Sequence, residues 1–175
     1  MPDDLTGGLP PLLAATLGPT SNVYHVGFVV PDLDAAIASV GEALRLTFTE
    51  PIEMPGLQLF TPAGPAEAAL RLCYSSRPIH VELIQSVPGT LWDSDDPLRG
   101  HHLGVWADDV EAEGARLESL GMPAVWWGVG GDGRRMFSYH STGLGFYVEL
   151  VDTVARAFYP GWFTSVDPEL AGPAA

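Results

Sequence analysis

The chain contains the same stretch twice. Tyr24-His25-Val26-Gly27-Phe28-Val29-Val30-Pro31-Asp32 returns as His102-Leu103-Gly104-Val105-Trp106-Ala107-Asp108-Asp109. A shift of 77 residues lays His25 on His102, Gly27 on Gly104 and Asp32 on Asp109. Each copy reads as a strand opening on His, a turn with an Asp cap, and a helix. A second matched pair follows, His80-Val81-Glu82-Leu83-Ile84 and Tyr147-Val148-Glu149-Leu150-Val151. Duplication on this scale constrains the fold more than any local propensity, because the second half must build what the first half builds. Two half-domains then carry a His and a Glu at equivalent places.

The remaining elements follow from pattern. Residues 23–30 are β-branched and aromatic and predict a strand that Pro31 ends. Asp32 or Asp34 caps a helix reaching about Ala43, and residues 46–49 form a strand candidate. The Pro and Gly content of residues 51–66 predicts hairpin and loop. Strands follow at residues 69–74 and 79–85. In the second half, residues 102–106 predict a strand, 109–120 a helix closed by Gly121, 125–127 a strand, and 135–140 with 146–152 a hairpin. The fold class is α+β, with two tandem β-α-β-β-β modules. The expected organisation is an arm at 1–21, one domain at 22–152 made of modules 22–87 and 101–152 with connector 88–100, and a tail at 153–175. The tail's aromatic cluster, Phe158 to Phe163, is expected to pack on the body.

Composition narrows the function. The formal net charge of −14 argues against a nucleic-acid surface and disfavours an anionic membrane. All eight basic residues are Arg, which excludes Schiff-base and P-loop lysines. The one cysteine, Cys73, lies in an apolar run and reads as a buried small hydrophobe. No window is long and apolar enough for a membrane span, and the acidic start, Met1-Pro2-Asp3-Asp4, is unlike a signal peptide. The expected location is cytoplasmic.

Alternate residues of a strand share a face. His25 therefore shares one with Gly27 and Val29, and His102 with Gly104 and Trp106. Glu82 shares one with His80 and Ile84, and Glu149 with Tyr147 and Val151. A Glu inside Val-Glu-Leu-Ile is costly in an apolar interior unless it has a partner or a metal. Two such Glu at matched points, with two His at the other matched points, form a mixed nitrogen and oxygen donor set. That set suits a divalent ion such as Zn, Ni, Co, Mn or Fe. Such an ion polarises a carbonyl or enediolate oxygen, and a carboxylate at its edge moves a proton on the adjacent carbon.

Over residues 22–152 the chain resembles the vicinal oxygen chelate superfamily, which includes glyoxalase I, methylmalonyl-CoA epimerase, extradiol dioxygenases and the bleomycin and fosfomycin resistance proteins. The wording His-Val-Gly-Phe-Val-Val-Pro-Asp-Leu-Asp-Ala-Ala is similar to the epimerase and glyoxalase-like branch. The resemblance implies two modules cupping a mixed sheet around a metal, with ligands on the first and fourth strands of each. Those ligands would be His25, Glu82, His102 and Glu149. It further implies a metal-dependent lyase, isomerase or epimerase acting on a small oxygenated carbon acid or thioester. Glu149, or Glu82, would shuttle the proton through an enediolate-like intermediate. Two other activities occur under the same resemblance: extradiol-type Fe(II) dioxygenation and non-catalytic drug binding. The implied partner is a small molecule, and the chain is either complete as a monomer or paired as a homodimer.

Other residues have simpler readings. The repeat register selects His102 over His101, which is then exposed or supporting. His80 either lines the pocket or makes a structural hydrogen bond. Gly128 to Gly133 with Arg134 and Arg135 is a hairpin loop, or else a nest for an anionic group. Trp106, Trp126 and Trp127 either floor an apolar pocket or pack in the core, with Trp106 sharing the His102 face, and Glu111, Glu113 and Glu118 form the wet face of the second helix.

Overall fold

The computed structural model describes residues 22–76, 79–96 and 100–157. The expected arm at 1–21 and the aromatic cluster of the tail lie outside the described residues. The first module runs β1 (Val23–Val30), α1 (Leu33–Leu44), β2 (Ile52–Thr61), β3 (Gly64–Tyr74) and β4 (His80–Gln85). The second runs β5 (His102–Ala107), α2 (Val110–Ser119), β6 (Ala124–Val129), β7 (Arg135–Ser141) and β8 (Tyr147–Asp152), followed by a 3₁₀ turn at Thr153–Ala157. The order β-α-β-β-β thus occurs twice.

Both helices begin as the repeat requires. The Asp32 carboxylate accepts the Ala35 N–H at 2.9 Å, and the Asp109 carboxylate accepts the Ala112 N–H at 2.9 Å. Each cap satisfies one N–H that the first helical turn leaves unpaired.

The eight strands close into one mixed sheet in the order β1-β4-β3-β2-β6-β7-β8-β5. Two seams join the modules. Strands β1 and β5 pair antiparallel from Val23 to Gly27, whereas β2 and β6 meet through Leu59↔Gly128 and Phe60↔Trp127. Strand alternation then sorts the hydrophobic residues into three groups. Leu70, Leu72, Ile84, Trp92 and Tyr139 fill the barrel interior. Leu33, Cys73 and Leu83 pack under α1, and Val110, Leu117, Val148 and Leu150 pack under α2.

Two expectations are corrected. The second strand of the first module is Ile52–Thr61 and not residues 46–49, which contribute only a bridge from Phe48 to Ser75. Pro55 and Gly56 do not break β2. They occupy a register shift between Met54 and Leu57, where Gly56 takes φ +64°, a conformation that suits glycine. The connector is also more than a linker. Its Leu91 and Trp92 are buried in the barrel core.

Candidate metal centre

The seam between β1 and β5 sets His25 opposite Gly104 and Gly27 opposite His102. A Cβ on Gly27 would lie 2.0 Å from His102 Cε1, and one on Gly104 would lie 2.1 Å from His25 Cε1. Each imidazole therefore lies across the glycine of the other repeat, in space that any side chain would fill. This explains why the repeated unit is His-x-Gly. The outer neighbours complete the pattern: parallel pairing sets Glu82 beside Gly27 and Glu149 beside Gly104.

One donor atom from each of His25, Glu82, His102 and Glu149 lies within 4.8 Å of all the others, and all four residues are buried. The two imidazole Nε2 atoms are 2.9 Å apart. His102 Nε2 is 3.0 Å from Glu82 Oε2 and 3.5 Å from Glu149 Oε2. His25 Nε2 is 3.5 Å from Glu82 Oε2 and 3.2 Å from Glu149 Oε2. Two donors each about 2.1 Å from one ion stand about 3.0 Å apart at a right angle and about 3.4 Å apart at the tetrahedral angle. The observed separations span that interval, so the donor set fits a divalent cation.

Supporting hydrogen bonds orient the donors, as they do around metal ligands in general. His102 Nδ1–H donates to the Gly100 carbonyl at 2.7 Å, which aims Nε2 into the cluster. The Tyr74 hydroxyl donates to Glu82 Oε1. In the second module Tyr139 lies beside Glu149 in the ladder, and Trp92 Nε1–H donates to the Tyr139 hydroxyl oxygen at 3.4 Å. Tyr74 pairs with Glu82 in the ladder and Tyr139 with Glu149, so the tyrosines occupy equivalent places in the two repeats. His25 Nδ1 is buried with no hydrogen-bond partner among the described residues, and its ring meets Tyr24 edge-on at 4.3 Å.

The charges in the cluster depend on each other. Burial opposes the negative charge on Glu82, but the facing His25 and the hydrogen bond from His102 outweigh it and hold the carboxyl below its ordinary range. Burial opposes the positive charge on His102, but its bond to Glu82 and the carboxylate charges outweigh that and raise its pKa. Burial and the nearby Glu149 and Glu82 push Tyr139 well above an ordinary phenol, so it remains a neutral O–H donor.

A cavity of about 130 Å³ reaches both carboxylates. Its walls include Met54, Leu57, Leu70, Leu72, Ile84 and Phe137. Glu149 is the more open acid at its edge, with 11% of its side chain exposed against 4% for Glu82.

The sequence reading named all four converging residues. It missed Tyr74, Tyr139 and Trp92, whose positions depend on ladder register and on where the connector folds. His101 turns away from the centre and accepts the Val29 N–H at 3.3 Å. His80 Nδ1–H donates to the Ser75 carbonyl at 2.7 Å. Arg134 sits 3.5 Å from Asp152, and Arg135 lies over the Trp127 ring. Trp106 stacks on Tyr24 at 3.8 Å. No described helix is long and apolar enough to cross a membrane.

Comparisons with known proteins agree with this architecture. The sequence model described as the glyoxalase/bleomycin resistance protein/dioxygenase superfamily matches residues 24–139. The methylmalonyl-CoA epimerase of Mycobacterium tuberculosis superposes with a TM-score of 0.52 at 20% identity, covering 83% of this chain and 99% of that one. A hypothetical protein of Bacillus halodurans C-125 superposes with a TM-score of 0.51 at 12% identity, covering 75% and 93%. These structural likenesses speak to the fold alone. A search of curated proteins found no match.

Proposed function

The chain belongs to the glyoxalase/bleomycin resistance protein/dioxygenase superfamily, and from that premise we propose that it is a metal-dependent isomerase, epimerase or lyase that moves a proton on a carbon next to a carbonyl. The observation that carries this reading is the buried His25, Glu82, His102 and Glu149 cluster at the edge of an apolar cavity. These four residues would hold the cation. A divalent ion there supplies Lewis acidity toward two adjacent oxygens of a small oxygenated substrate.

The chain's own groups do the rest. Glu149, the more open carboxylate, takes the proton from the substrate carbon and returns it to the substrate. Return to the neighbouring atom gives isomerisation, and return to the opposite face of the planar carbon gives epimerisation. Tyr139 stands beside Glu149 as a neutral phenol, with Trp92 Nε1–H donating to its hydroxyl oxygen. Tyr74 holds Glu82 directly through its hydroxyl proton.

The test is deuterium wash-in at the carbon beside the carbonyl, with protein loaded with zinc, nickel or cobalt and a panel of thioesters and hemithioacetals. Exchange is expected with the parent and not with Glu149→Gln. No exchange across the panel overturns the proposal, and oxygen uptake with catechols would move the chain to the dioxygenase class instead.

A further inference from the structure

The cavity wall beside the carboxylates is chemically one-sided. We infer that the substrate presents to this cavity an uncharged hydrocarbon group, between a branched butyl and a phenyl in size, and that the site rejects a substrate with a carboxylate there. This inference rests on the proposed metal site and goes beyond it by naming the substrate class.

Size is the first argument. A cavity of about 130 Å³ is slightly smaller than the roughly 150 Å³ apolar cavity that takes up benzene. Chemistry is the second. Met54, Leu57, Leu70, Leu72, Ile84 and Phe137 offer no hydrogen bond to a polar side group. Charge is the third. Among the described residues, the lining of the cavity includes two carboxylates and no Arg, Lys or His. Glu82 and Glu149 together neutralise a divalent cation, so no net positive charge remains for an anionic substituent.

A carboxylate entering this space would lose its hydration, meet two buried acids and find no cation to pair with. The Tyr74 hydroxyl does not relieve it, because its proton is directed at Glu82. A hydrocarbon group loses nothing on entry and gains burial.

The experiment uses the full chain loaded with zinc and hydroxamic acids as probes, because they present two adjacent oxygens with a variable side group. Zinc affinity is measured first by calorimetry, then the affinities of acetohydroxamic, isobutyrohydroxamic, benzohydroxamic and naphthohydroxamic acids. Isobutyro is expected to bind more tightly than aceto by on the order of tenfold, from two more buried carbons. Benzo should bind at least as tightly as isobutyro, and naphtho more weakly. Succinohydroxamic acid, which carries a carboxylate, should bind at least about tenfold more weakly than butyrohydroxamic acid. Leu57→Phe narrows the cavity and should shift the preference towards the aceto compound, with zinc affinity at the parent value showing that the variant folds. A flat series, or equal binding of the succino compound, overturns the inference while leaving the metal site intact. Failure of zinc alone to bind overturns both readings.

Discussion

Replacing Gly27 with alanine probes the centre without touching a donor. The new Cβ would stand 2.0 Å from His102 Cε1 and 2.2 Å from its Nε2. Carbon atoms ordinarily approach to about 3.5–4.0 Å, so the ring must retreat by about 1.5 Å or more. It has little room, since His102 is 2% exposed and its Nδ1–H is held 2.7 Å from the Gly100 carbonyl. Overpacking of this kind costs about 1–3 kcal/mol, readable as a lower denaturant midpoint in chelator-treated protein. The larger effect falls on the cation. Loss of a supporting partner alone weakens metal binding by about 10–100-fold, and here a donor itself is displaced, so zinc affinity should fall by at least about 100-fold. Gly131→Ala is the control. A Cβ there meets nothing within 4 Å, and its effect on stability should stay within about 0.5 kcal/mol. The cause is isolated by repeating Gly27→Ala in a His102→Ala background, where the methyl has no ring to displace and its stability cost should disappear. Zinc binding by Gly27→Ala as tight as the parent's, or the same stability cost in both backgrounds, would refute the reciprocal packing.

Three more outcomes are expected. Without metal, the raised pKa of His102 contributes stability that is fully present below the ordinary histidine value of 6.5 and is lost as pH rises through the raised value. The lowered pKa of Glu82 contributes stability that is present above 4.5 and is lost as pH falls through the depressed value, so denaturant midpoints should peak between these limits and decline on both sides. Tyr74→Phe leaves Glu82 Oε1 without its donor and should weaken zinc binding by about tenfold or more, measured by calorimetric titration. Burial pushes the Cys73 thiol up to about 12, so it should resist thiol reagents in the folded protein and react once the chain is unfolded by denaturant.

The duplicated sequence made the module order, both Asp caps and the four converging side chains legible, because the two copies could be read against each other. His101 and His102 illustrate the gain. Composition cannot choose between them, but only His102 aligns Gly104 with Gly27, and only His102 faces the donor cluster. The repeat gave no help where the halves differ. Residues 46–49 look like a strand by side-chain type yet form one bridge, while β2 passes through Pro55 and Gly56 because its pairing with β3 tolerates a shift of register there. Tyr74 and Tyr139 needed the ladder register before they could be assigned to the carboxylates. Trp92 needed the tertiary path of a segment whose Gly, Pro and Asp content signals only a turn.

The crossed arrangement of ring and glycine has a consequence for inheritance. Each repeat leaves blank the spot that its sibling's imidazole occupies, so neither can drift at that position on its own account. A gain of bulk in one half is felt as damage in the other. Because one copying event delivers His and Gly together to both sides, blank and occupant arise at the same moment. A half-length ancestor with the same motif would meet that requirement only by doubling with itself about the same seam.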